Sequence, residues 1–262
     1  MHLVISSAGP YGLIQLGMLS SLALERPESI RGTSAGSFIA VLISIGIPID
    51  EIIEYMIKRP LHKWFKLDLT IHAVISANCF MELLAPLFHA YDVPLTITMK
   101  ELYERTNIDI YLYTTAVTDL KVVELHHLTH PDLPVMTAIS MSSSIPFMFP
   151  PILYEGDYHI DGGLLMHCPP STEDSVVICM KHNAPLDMSS PFTFANHLIY
   201  RAMDKLNTYP TLGKIYMYEI TDVVDGNFWS DFLNQETKRV EMVEMGKSFI
   251  LKQYENEEGR CV

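Results

Sequence analysis

The sequence predicts an α/β fold, a mostly parallel sheet covered by helices on both faces. Two observations predict it. Within the first sixty residues, short apolar runs alternate with segments of helical spacing in the order β-α-β-α-α, and such alternation builds parallel sheets. The chain of 262 residues, 48% apolar and 19% charged, is also long enough for a sizeable core.

The elements follow in order. HLVISS (2–7) reads as a short buried strand, AGPYG as a Gly/Pro turn, and GLIQLGMLSSLALER as a helix running to Pro27. ESIRGTS is a second strand and AGSFIAVLISIG a second helix, closed by Gly46 with Pro48 two residues on. Asp50 is expected to cap EIIEYMIKR, which stops at Pro60. Thr98 and Glu101 stand in capping-box spacing. IYLYTTAVT and KVVELHHL read as strands and PVMTAISMSSS as a helix; ILYEGDYHIDGG reads as a hairpin turning at Glu155-Gly156-Asp157. SVVICM and KIYMYEI are further strands, with helices near 192–207 and 231–256. A single domain over 1–262 is expected, with a motif-bearing core of about 1–180, a helical insertion at about 47–107, and a C-terminal strand and helices at about 190–262.

Charge and composition exclude several classes. A net charge of −13 argues against nucleic acid, whose binding needs clustered Lys and Arg. No apolar run is long enough to span a membrane, and the N-terminus lacks the basic region of a signal peptide. Cys79, Cys168, Cys179 and Cys261 are scattered without metal or redox spacing. A reduced, cytoplasmic protein is expected.

The chemistry concentrates at GTSAGS (32–37), a Gly-x-Ser-x-Gly between a strand and a helix. In that context Ser34 sits on a sharp turn that lifts its oxygen clear of the sheet. Gly32 and Gly36 remove side chains that would collide with neighbouring backbone, and the helix N-terminus favours developing negative charge. The plainer alternative is a tight βα turn with a capping serine. The first βα junction, SSAGPYG, is also Gly-rich; adjacent parallel strands bring it beside Ser34 as a source of backbone N–H donors. HIDGG (159–163) ends a strand with Asp161 followed by Gly162 and Gly163, which in isolation is an ordinary turn signal.

In combination, these motifs resemble the patatin-like phospholipases, a family of lipid acyl hydrolases. The resemblance rests on the Gly-rich loop and the following helix with Gly17, on GTSAGS, and on SMSSSIPFMFPPILYEGDYHIDGG, over about residues 3–170. It implies a three-layer α/β/α sandwich, Ser34 as nucleophile, Asp161 as its partner in a dyad, and a lipid substrate with no metal or cofactor. It also implies oxyanion or substrate contacts at Ala8, Gly9 and Gly12. The loop departs from the family pattern: Ser7, Ala8 and Gly9 replace a triple glycine, and Tyr11 stands where a basic residue is expected. Phospholipid, acylglycerol and non-lipid esters all remain open, as does a catalytically weak or inactive interaction protein.

His159 and His167 flank Asp161, and His167, His182 and His197 follow the acid in the order of a Ser-Asp-His triad. His126, His127 and His130 cluster nearby in sequence, and all are expected to be ordinary surface or packed histidines rather than a triad member or a metal cluster. Met136, Met141 and Met148 suit core packing. Residues 58–66, with Lys58, Arg59, Lys63 and Lys66 around Trp64 and Phe65, are either a peripheral membrane contact or a solvated helix end.

Overall fold

The computed structural model describes residues 1–68, 73–76, 78–185, 190–222 and 225–258. The N-terminal part runs β1 (His2–Ile5), α1 (Gly12–Ser20), β2 (Ser29–Thr33), α2 (Ala35–Ser44) and α3 (Ile49–Lys58). It is followed by β3 (Phe65–Asp68), β4 (Ala73–Ile75), α4 (Cys79–Ala90) and α5 (Met99–Thr106). Next come β5 (Asp109–Ala116), β6 (Lys121–Leu125), α6 (Val135–Ser143), β7 (Ile152–Tyr154) and β8 (Asp157–Asp161). The chain closes with β9 (Ser175–His182), α7 (Pro191–Leu206), β10 (Lys214–Ile220), α8 (Gly226–Asn234) and α9 (Glu236–Glu258).

The central sheet is mostly parallel and flanked by helices. Strands β10, β9, β1, β2 and β5 lie side by side in that order, all parallel. Beyond them the pairing turns antiparallel, and its register positions the site. Strand β6 pairs with Leu112–Ala116 along one edge of β5. The other edge is shared: β2 covers Asp109–Tyr113, then β8 takes over at Thr114–Ala116 from the opposite direction. Thr33 is opposite Tyr113 and Asp161 is opposite Thr114. The ends of β2 and β8 therefore meet on adjacent positions of one strand, which brings the residue after Thr33 to Asp161.

The local chemistry explains the elements. Gly46 adopts φ 88, and the Ile47 and Gly46 N–H groups bond to Leu42 and Ile43 carbonyls at 3.2 and 3.0 Å, closing α2 in a Schellman motif. Thr98 and Glu101 form the expected capping box. The β7–β8 hairpin turns at Glu155 and Gly156, both left-handed with φ 49 and 85. Met136, Met141 and Met148 are buried.

Three expectations are corrected. Helix α1 ends at Ser20 rather than near Pro27, because the Ser20 and Ser21 hydroxyls bond back to the Gly17 carbonyl and compete with the helical ladder. The N-cap of α3 is Pro48, with Asp50 inside the first turn. The C-terminal helix is divided by the extended Gln235 into α8 and α9, with α8 capped by Asp225. The 47–107 segment also carries a small antiparallel sheet, β3 with β4. No described helix is long and apolar enough to cross a membrane.

Helices α1 and α9 pack in close contact. A β-carbon on Gly17 would overlap the Val243 carbonyl, and one on Gly246 would overlap the Ile14 carbonyl. Gly246→Ala is therefore expected to destabilise the protein by about 2 kcal/mol or more in urea unfolding. Alanine's helix propensity acts in the opposite direction by about 1 kcal/mol, so a stabilised variant would disprove the close crossing.

Candidate active site

Ser34 lies between β2 and α2 with φ 55 and ψ −122, a conformation a residue with a β-carbon rarely adopts. The surroundings hold it there. Its N–H donates to Ser142 Oγ at 2.9 Å, and Ser142 Oγ donates to the Tyr113 carbonyl at 2.7 Å. Ser37 Oγ donates to the Ser34 carbonyl at 2.6 Å. A β-carbon on Gly32 would strike the Gly36 carbonyl, and one on Gly36 would strike that of Ile5. The glycines of the motif are thus demanded by backbone-to-backbone approach.

Asp161 ends β8. Its N–H donates to the Ser144 carbonyl at 2.9 Å, and its Oδ1 accepts from the Gly163 N–H at 2.7 Å. Its Oδ2 accepts from Ser34 Oγ at 2.6 Å. A β-carbon on Gly162 would overlap the Tyr113 carbonyl; one on Gly163 would stand 2.7 Å from Ser7 Oγ. Burial pushes the Asp161 carboxyl up to about 6, against the opposing hydrogen bonds from Ser34 and Gly163. Both residues are almost fully buried, Ser34 at 3% and Asp161 at 5% exposure.

The first loop lies alongside. Ser7 is anchored twice to His167: its N–H donates to the His167 carbonyl at 2.8 Å, and its hydroxyl meets Nδ1 at 2.5 Å. Gly9 is left-handed, φ 53. Among the described residues the Ala8 and Gly9 N–H groups meet no acceptor, whereas the Gly12 N–H donates to the Gly9 carbonyl. Gly12 is therefore no free donor; it permits close packing, with its would-be β-carbon 3.2 Å from Ala35 Cβ. Tyr11 is buried against Phe228 and His182, at ring-centroid distances of 5.1 and 6.1 Å. It plugs the core beneath the loop instead of carrying a charge to its surface.

Two cavities meet at Gly9, Ser34 and Ile145. The larger, about 130 Å³, is walled mainly by apolar side chains such as Leu13, Phe38, Leu61 and Phe80. The smaller, about 40 Å³, is reached by Ser7, Asp161, His182 and Tyr200. A roomier hollow of about 550 Å³ lies elsewhere, lined by Met1, Arg26, Pro48 and Arg105, and touches none of these groups.

No imidazole stands between Ser34 and Asp161, because the serine hydroxyl donates to the carboxylate directly. His167 is occupied at both ring nitrogens, by Ser7 and by the Met180 carbonyl at 2.5 Å. His182 stacks on Tyr200 with centroids 4.0 Å apart. Far from this centre, Asp109, His126 and His127 bring one potential metal-ligand atom each within 4.8 Å of the others. Asp109 pairs with Ser29 at the start of β2, the opposite end from Ser34. The Trp64, Phe65 and Lys66 side chains, on which a membrane contact at 58–66 turns, lie outside the described residues. Sequence reasoning missed Ser142, the supporting role of Ser7 with His167, and Tyr200; none belongs to a spacing pattern that signals chemistry.

The family model described as patatin-like phospholipase matches residues 3–172. The chain is 28% identical over 177 residues to a probable lipid hydrolase of Invertebrate iridescent virus 6, covering 64% of this chain and 61% of that one. It is also 28% identical over 222 residues to an uncharacterized protein of Acanthamoeba polyphaga mimivirus, covering 75% and 66% respectively. The chain thus spans less than two thirds of each of these relatives. Among solved structures, VipD from Legionella pneumophila is similar in fold, with TM-score 0.56 and 14% identity over 96% of this chain and 66% of that one.

Proposed function

The chain belongs to the patatin-like phospholipase family, and we propose that it is a lipid acyl hydrolase cleaving a carboxylic ester of a phospholipid or acylglycerol through Ser34 and Asp161. The observation that carries this reading is the 2.6 Å hydrogen bond from Ser34 Oγ to Asp161 Oδ2 at the end of a strained strand–helix turn. In the first half-reaction Asp161 takes the hydroxyl proton while Ser34 Oγ attacks the ester carbonyl carbon. The tetrahedral oxyanion is received by the Ala8 and Gly9 N–H groups and favoured by the N-terminal end of α2. Collapse expels the alcohol, which takes the proton from Asp161, and leaves an acyl-serine. Water then gives its proton to Asp161 and attacks the acyl carbon, releasing the fatty acid and restoring Ser34.

The apolar cavity of about 130 Å³ beside Ser34 suits an acyl chain, which supports a lipid over a polar ester. Residues 58–66 remain a candidate peripheral membrane contact, and the net charge of −13 leaves nucleic acid an unsuitable partner. Fluorophosphonate labelling of the purified protein, with the modified peptide located by mass spectrometry, tests the reading. Labelling at Ser34 together with turnover of acylglycerol or phospholipid is expected. A protein that neither labels nor hydrolyses any ester would instead be an interaction protein of the same fold.

A further inference from the structure

We propose that the smaller cavity beside Ser34 is the subsite for the alcohol half of the ester, and that Tyr200 and His182 there bind a free hydroxyl of that alcohol. The preferred substrate is then a partial ester of a polyol, such as a monoacylglycerol or a lysophospholipid. This inference rests on the hydrolase reading above.

The two substituents of an ester carbonyl diverge from the carbon that Ser34 attacks, and two cavities diverge from Ser34. Both share Gly9, a loop residue whose N–H meets no acceptor among the described residues. The larger has a predominantly apolar wall and suits the acyl chain, so the alkoxy half is directed into the smaller. At about 40 Å³ that space holds little more than a hydroxyl-bearing carbon or two.

Its polar wall is only partly committed. The Ser7 hydroxyl is bonded to His167, and both Asp161 oxygens are bonded, to Ser34 and Gly163. By contrast, the Tyr200 hydroxyl and the buried His182 Nε2 have no hydrogen-bond partner among the described residues. The Tyr200 hydroxyl stands 3.3 Å from where a β-carbon on Gly9 would lie, so it is close to the oxyanion loop. The two rings stack, with centroids 4.0 Å apart and planes 23° apart, and act as one wall. Leaving the buried His182 Nε2 unpaired is unfavourable, and a ligand hydroxyl, which both donates and accepts, relieves it while also meeting the Tyr200 hydroxyl.

The electrostatics agree. Burial pushes the Tyr200 phenol up, so it remains a donor. Burial, with the charges of His167 and His197, pushes His182 down to about 3, so it is neutral near pH 7. Among the described residues no Lys or Arg lines this cavity, and Arg201, in the neighbouring hollow that His182 and Tyr200 also line, donates to the Ala184 carbonyl at 3.1 Å; this favours a neutral hydroxyl as the group recognised. Tyr200 lies in α7, beyond the residues 3–172 that match the family.

The test compares kcat/KM of wild type and Tyr200→Phe on a 1-monoacylglycerol, a lysophosphatidylcholine and a methyl ester of the same fatty acid. Tyr200→Phe keeps the ring and its stack on His182. Wild type is expected to prefer both hydroxyl-bearing substrates to the methyl ester, and the variant to lose about tenfold or more of that preference. An unchanged preference, or an equal loss on all three substrates, would overturn the proposal. A loss confined to the lysophospholipid would also overturn it, by assigning the subsite to phosphate. Wild type that labels at Ser34 while the variant shows no change in preference leaves the hydrolase reading intact. Wild type that neither labels nor hydrolyses any of the three overturns both.

Discussion

Ser34→Ala is expected to lower kcat for ester hydrolysis by about 10⁴-fold or more and to abolish fluorophosphonate labelling, because the proposed nucleophile is removed. The fold should survive. Alanine keeps the β-carbon at φ 55, so the turn is as strained as before. Ser34→Gly removes that strain and is expected to be more stable than Ser34→Ala by about 1 kcal/mol in urea unfolding. A Ser34→Ala protein that keeps a tenth of wild-type turnover would mean another nucleophile. A glycine variant no more stable than the alanine one would mean the left-handed conformation stores nothing.

Asp161→Asn is expected to lower kcat by about 10²- to 10⁴-fold, since the amide does not accept the serine proton. The same substitution is expected to stabilise the protein at neutral pH. The native carboxyl titrates at about 6, above its ordinary 3.8, because burial disfavours the charged form. Between those values the native state retains a proton that the unfolded chain has released, so wild-type stability falls as pH rises through the window. The loss amounts to at most about 3 kcal/mol and is complete above pH 6. Asparagine does not titrate, so its advantage grows over the same interval. Wild-type activity is expected to run the other way, rising with pH as the proposed base Asp161 becomes a carboxylate and levelling off above about 6. Urea unfolding of both proteins at pH 4 and 7, with a pH–rate profile for the wild type, checks the pair of effects. A variant less stable than wild type at pH 7 would show that its hydrogen bonds outweigh its buried charge.

The sequence was most legible where a residue type is forced by local geometry. Gly46, the capping box at Thr98 and the turn at Glu155-Gly156 announce themselves because few residues tolerate those conformations. GTSAGS is readable for the same reason, and so is Asp161 before two glycines that face other atoms at close quarters. Less legible was anything decided by competition or by distance. The seryl hydroxyls that end α1 look like ordinary helix surface until they are seen bonding to Gly17. Gly12 belongs to a Gly-rich loop, yet its N–H is taken by Gly9. Tyr200 sits in a helix of unremarkable pattern, and only the fold carries it to the loop at Gly9. The meeting of β2 with β8 depends on register along β5, which no local pattern records.

The placement of β9 has a consequence for what can stand alone. It pairs with β1 on one side and β10 on the other, and both β9 and β10 follow residue 172. Cut there, the remainder would present β1 as a bare edge, its unpaired backbone inviting another copy to add on. The stretch that reveals kinship is thus expected to aggregate when produced alone, since the less recognisable third of the chain covers its open edge.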